Sequence, residues 1–117
     1  MKRDMDLARK ILLMVEQQPT YRQKITLDIP GYSSEEISYH VLLLAEANLI
    51  ETEISSRQSA EYKPKRLTWE GHEFLDAVKQ DARWKKVKDV MEDVGGFVFE
   101  IAKPVAISLI KQQIGIG

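Results

Sequence analysis

Apolar positions recur at helical spacing near the start of the chain, at Leu7, Ile11, Met14 and Val15, with Arg9, Lys10 and Glu16 between them. That pattern predicts a first helix over Asp4 to Gln17, stopped by Pro19. Ile25, Leu27 and Ile29 then alternate with polar neighbours, as in a short half-buried strand, and Pro30-Gly31-Tyr32 makes a turn. Ser33 and Glu36 have capping-box spacing, with the serine as N-cap and the glutamate reaching back from the third helical position. The helix they open carries a stripe of Ile37, Val41 and Leu44, and Asn48 is suited to the left-handed residue that ends it.

"LIETEI" alternates as a second strand. "SSRQSAEYKPK" is polar enough for an exposed loop, and "RLTW" supplies a third strand followed by a helix cap at Thr68. Helical spacing resumes at Phe74, Leu75 and Val78 and continues through Trp84, Val87 and Val90. Gly95–Gly96 is the candidate hinge or linker before a last apolar helix from Phe97 to Gln113, interrupted by Pro104. The expected architecture is α+β: a winged helix-turn-helix-like domain over 1–93 with a small three-stranded antiparallel sheet, and an added C-terminal helix within 94–117.

Composition narrows the chemistry. The 117 residues suit one domain with an appended helix, 44% being hydrophobic and 30% charged. The net charge of −1 argues against coating nucleic acid by sheer basicity, and with no cysteine there is no thiol or disulfide chemistry. Charges in "MKRDMDLARK" leave no apolar run for a signal peptide, and Glu100, Lys103 and Pro104 break the longest apolar stretch. Both point to a cytoplasmic chain outside the membrane.

"ISYHVLLLAEANLIETE" resembles the recognition-helix segment of winged-helix repressors, above all the ArsR-like group. Ile37, Ser38, Tyr39, His40, Val41, Leu44, Ala47, Leu49 and Ile50 carry the likeness, and Asn48 stands where glycine is common. "RLTWEGHEFLDAV" resembles the Leu-Thr-x-x-Gly opening of the helix that follows the wing. Together with "MKRDMDLARKILLMVE", "WKK" and "IAKPVAISLIKQQIG", these phrases resemble the bacterial and prophage family catalogued as domain of unknown function 2513. The likeness implies a winged-helix fold and a phage-associated setting, and carries over no site residue.

With Ile37, Val41 and Leu44 inward, the outer side of the second helix presents Glu35, Ser38, Tyr39, Leu42 and Glu46. In a DNA reader, Ser38, Tyr39 and Leu42 approach the groove. Arg57, Lys63, Lys65 and Arg66, set against the single acid Glu61 between Ser55 and Arg66, hold phosphates. Two features oppose this: Glu35 and Glu36 repel phosphate, and Leu42 stands where the resembling repressors often have lysine.

The expected function is a DNA-binding transcriptional regulator on double-stranded DNA. The alternative is a winged-helix adaptor that binds a protein through Tyr39, Leu42 and the last helix. No enzyme is expected, because no nucleophile motif, phosphate loop or metal-ligand cluster appears around His40 or His72, and no cofactor is implied. His40 is expected as a partly buried structural residue, and Trp69 as a core anchor at the strand-to-helix corner. Phe97, Ile101, Val105 and Leu109 form one apolar line, the expected homodimer interface.

Overall fold

The computed structural model describes residues 1–23, 25–54 and 61–115. They divide into two compact units, Met1–His72 and Glu73–Gly117. The first holds α1 (Met5–Glu16), α2 (Ser34–Glu46), β1 (Ile50–Ile54) and β2 (Tyr62–Leu67), and α3 (Trp69–Val78) begins in it. Helix, extended segment, helix, two-stranded ribbon and helix make an α+β, winged-helix-like order.

The Asp4 side chain caps α1 by accepting from the backbone N–H groups of Asp6 at 3.0 Å and Leu7 at 3.1 Å. Leu7, Ala8, Ile11, Leu12 and Val15 are buried along one face of the helix. The expected capping box opens α2, with Ser33 Oγ accepting from Glu36 N–H and Glu36 Oε1 accepting from Ser33 N–H, both at 3.1 Å. The same helix ends as its sequence implies. Asn48 takes a φ of 62°, its N–H donates to the Ala45 carbonyl, and Leu49 N–H reaches back to the Leu44 carbonyl at 2.9 Å. Leu44 and Leu49 are both buried, which adds the apolar contact that accompanies this kind of stop.

The sheet differs from expectation in two ways. Among the described residues it has two strands, paired antiparallel from Ile50 opposite Leu67 to Ile54 opposite Tyr62. Residues 25–29 lie beside it without being a strand, joined to it by a bond from Ile25 N–H to the Pro64 carbonyl at 2.9 Å. An antiparallel pair exchanges two bonds, and Pro64 has no N–H to return the second. The alternation nonetheless identified the inward side chains, since Ile25 and Ile29 are buried. The second difference is that β2 begins at Tyr62, so Lys63, Pro64 and Lys65 belong to a strand rather than to the loop. Lys65 is the extra residue of a bulge, because Glu51 faces Arg66 while Thr52 faces Pro64.

His40 is 2% exposed and ties the start of α1 to α2. Its Nε2 accepts from the Asp4 backbone N–H at 2.7 Å, and its Nδ1 lies 2.8 Å from the Glu36 carbonyl. A carbonyl only accepts and an amide N–H only donates, so the partners require the neutral tautomer protonated at Nδ1. Tyr32 joins this node by donating its hydroxyl to Asp4 Oδ2 at 2.9 Å. That bond, with the nearby carboxylates, raises the Tyr32 phenol above its ordinary value.

A phenol raised in the folded state contributes stability below its unfolded value of about 10 and loses it as pH rises through the folded value. Absorbance titration of the tyrosinates should therefore show one late component above about pH 10. Tyr32→Phe should remove it, and an unchanged alkaline profile in that variant would contradict the assignment.

In the second unit, α3 runs to Val78 and a break at Lys79 and Gln80 separates it from α4 (Asp81–Asp93), where the sequence suggested continuation. Trp84 is 3% exposed and packs on Phe97 with ring centroids 5.9 Å apart, while Phe99 meets Phe74 edge-on at 5.0 Å. Against α4 lies α5 (Phe99–Gln113), whose buried residues are Ala102 and Ala106, small enough for close helix approach.

Gly95 and Gly96 are the stop of α4 rather than a free linker. Gly95 N–H donates to the Glu92 carbonyl and Gly96 N–H to the Met91 carbonyl, each at 3.0 Å, with φ of 89° at Gly95. Among the described residues, no helix is long and apolar enough to cross a membrane.

Candidate interaction face

The outer side of α2 carries Glu35 and Glu46, both exposed, with Tyr39 and Leu42 half-buried between them. Neither glutamate has an ion-pair partner among the described residues. Ser38 is committed to the fold: its Oγ accepts from Tyr62 N–H at 2.8 Å and so pins the ribbon to α2. Tyr39 stands edge-on to His40, with ring centroids 5.8 Å apart.

Two cations of the ribbon face carboxylates. Lys65 Nζ lies 2.9 Å from Glu53 Oε1, and Arg66 Nη2 lies 2.5 Å from Glu51 Oε1. The bond to Glu53 raises the Lys65 ammonium above its ordinary value. Lys63 Nζ donates to Thr26 Oγ1 at 3.3 Å. Arg57 lies outside the described residues. These pairs are solvent-exposed and contribute little to stability. Their larger effect is on the field, because a cation beside a carboxylate presents little net charge at the distance of a phosphate backbone. Counting charge along Ser55–Arg66 misses this, since Glu51 and Glu53 come from the opposite strand. The cross-strand register is the signal that reveals it.

Trp69 overturns its expected core role, being 81% exposed at the first position of α3. The register of that helix is fixed next door. Thr68 Oγ1 donates to the Asn48 carbonyl at 2.6 Å and accepts from Gly71 N–H at 3.0 Å, while Thr68 N–H donates to the Leu49 carbonyl. Gly71 lies so close to that carbonyl that a Cβ placed on it would be 1.9 Å from the oxygen. At about 100° per residue, the helix that presses Gly71 onto the α2–β1 turn directs Trp69 about 160° away.

The other candidates disperse. In the expected interface line Ile101 is 41% exposed, while Phe97, Val105 and Leu109 are half-buried. Both ring nitrogens of His40 have protein partners, and the described residues contain no cluster of three or more His, Cys, Asp or Glu suited to a metal.

The chain matches the family described as "Hypothetical protein (DUF2513)" over residues 2–97. It is similar to an "Uncharacterized protein" of Haemophilus influenzae, at 37% identity over 117 residues that cover 97% of this chain and 99% of the relative. No solved structure matches it. The family match takes in both strands, α2 and the Thr68–Gly71 corner, and the likeness to the relative extends along nearly the whole chain: this protein belongs to the DUF2513 family.

Proposed function

We propose that this chain is a winged-helix-like protein-interaction module and that the outer face of α2 is its docking side. The phage or prophage setting implied by the resemblance suits a small adaptor of this kind. One observation carries the reading: Lys65 and Arg66 are paired with Glu53 and Glu51, while Glu35 and Glu46 on α2 have no ion-pair partner among the described residues. A reader of DNA needs the opposite arrangement, free cations on the ribbon and no carboxylate at the groove-facing end of the helix. Tyr39 and Leu42, half-buried between the two glutamates, offer an apolar centre with an acidic rim, an arrangement common at protein interfaces.

DNA regulation is the second reading, favoured by the likeness of α2 and the ribbon to winged-helix repressors. Matrices of opposite charge separate the two. The full chain should be retained on immobilised poly-lysine and released by salt, more weakly for Glu35→Gln/Glu46→Gln than for a control neutralised at Glu92 and Asp93. Passage through immobilised duplex DNA should be unretarded. Salt-sensitive retention on the DNA, lost when Lys63, Lys65 and Arg66 become alanine, would favour the second reading over the first.

A further inference from the structure

Within the second unit, α4 and α5 form a hairpin. Its open end is tied by Arg83, whose Nη2 donates to Gln113 Oε1 at 3.1 Å, and its closed end is the connection through Gly95 and Gly96. At the open end a cleft lies between the helices, with Arg83 and Lys86 on one wall and Leu109, Gln112 and Gln113 on the other. At about 100° per residue, Val90 and Val94 share the Arg83 side of α4, and Ile101 and Val105 share the Leu109 and Gln112 side of α5. The cleft therefore continues toward the connection between apolar side chains. Val90, Val94 and Ile101 are exposed there, and Val105 is half-buried. Phe97, the remaining member of the expected interface line, turns away onto Trp84.

Charge divides along the same hairpin. Arg83, Lys85 and Lys86 on α4 and Lys111 on α5 lie toward the open end, while Asp89, Glu92, Asp93 and Glu100 lie toward the connection. Asp81 and Lys103 depart from this division. The stability of α4 does not account for it. The last turn holds Glu92 and Asp93 and no base, where the helix dipole favours the opposite sign. Lys85 with Asp89, and Lys88 with Glu92, stand four apart in the weaker order, lysine first.

We infer that this face of the hairpin is covered by a second copy of the chain, laid antiparallel about a twofold axis. Lys86 and Asp93 are both exposed and lie two turns apart on one side of α4, with Val90 between them. An axis passing between Asp89 and Val90 sets Lys86 of each copy against Asp93 of the other and brings the two Val90 side chains together. In-register parallel pairing would instead set like charges against each other along α4. Val90, Val94 and Ile101 supply the apolar centre of such an interface, and the divided charges its rim. The inference does not depend on the α2 reading.

Sedimentation of the full chain across concentration and salt is the test. The parent should pass from monomer to dimer as concentration rises, and added salt should weaken the dimer. Val90→Asp should weaken it about tenfold or more, as should Lys86→Glu or Asp93→Lys alone, because each swap sets like charges together. Mixing the Lys86→Glu and Asp93→Lys chains should restore a dimer of one of each, since both contacts are then opposite in sign. The three positions are exposed, so circular dichroism should show the fold unchanged in every variant.

A parent that stays monomeric up to millimolar concentration overturns the proposal and leaves the face to a different protein. A dimer indifferent to Val90→Asp and to both swaps overturns it too, by placing self-association elsewhere. Swapped chains that dissociate singly and remain apart when mixed contradict the antiparallel register.

Discussion

Gly71→Ala should destabilise the protein by about 3 kcal/mol or more, the upper end of what an overpacked site costs. For an ordinary helix the sign is reversed, since alanine gains about 0.5–1 kcal/mol over glycine. Here the new methyl would meet the Leu49 carbonyl oxygen at 1.9 Å and its carbon at 2.9 Å, and both are backbone atoms held by the stop of α2. Relief requires α3 to slide, which breaks the Thr68 bonds to Asn48 and Leu49. The threonine and the glycine of the Leu-Thr-x-x-Gly phrase are therefore one device: Thr68 caps the helix and grips the turn, and Gly71 lets the helix approach it. Thermal melts followed by circular dichroism should place Gly71→Ala more than about 10 °C below the parent, given several degrees per kcal/mol in a chain of this size. A melt within about 2 °C of the parent would show that α3 does not pack as described.

His40→Leu should cost about 2 kcal/mol in denaturant unfolding, the penalty for leaving one buried donor unmet. The donor is Asp4 N–H, now 2.7 Å from Nε2. The Glu36 carbonyl suffers less, because its place inside α2 gives it a helical N–H as well. His40→Gln retains one acceptor and one donor and should recover part of the loss. The tautomer can be read directly, with long-range proton–nitrogen spectra showing the hydrogen on Nδ1. Equal unfolding midpoints for His40→Leu and the parent would mean that the Asp4 bond contributes nothing.

The local punctuation of the chain was readable from sequence because each signal acts within a few residues. Ser33 and Glu36 close a capping box three positions apart, and Asn48 adopts the left-handed turn that its short polar side chain tolerates. What failed depends on neighbours distant in sequence. The alternation at Ile25, Leu27 and Ile29 reports which side chains turn inward, but a ladder also needs a donor on the facing strand, and Pro64 has none. Trp69 read as core because its residue type is apolar. Its direction is set by Gly71 against Leu49, a contact that no periodicity within α3 encodes.

The charge of the candidate site was legible only in part, for a related reason. Lys63, Lys65 and Arg66 look like a free basic cluster along the chain, whereas across the ribbon Glu53 and Glu51 balance two of them. The acidic outer side of α2 was legible from spacing alone, because Glu35 and Glu46 fall opposite the buried Ile37, Val41 and Leu44. Gly95–Gly96 shows the same limit on a smaller scale. Two glycines suggest freedom, yet their N–H groups are spent closing α4.

The measurement that bears most directly on the balanced ribbon and acidic face is the salt dependence of binding to random-sequence duplex DNA, for the parent and for Glu51→Gln/Glu53→Gln. If the carboxylates hold the two cations, the parent should bind too weakly to define a slope. The variant should gain binding that falls with salt at a log–log slope of about −1.8, the value for two released phosphate contacts. A parent that already binds with such a slope, unchanged when Glu51 and Glu53 are neutralised, would contradict the account and make the ribbon a phosphate clamp.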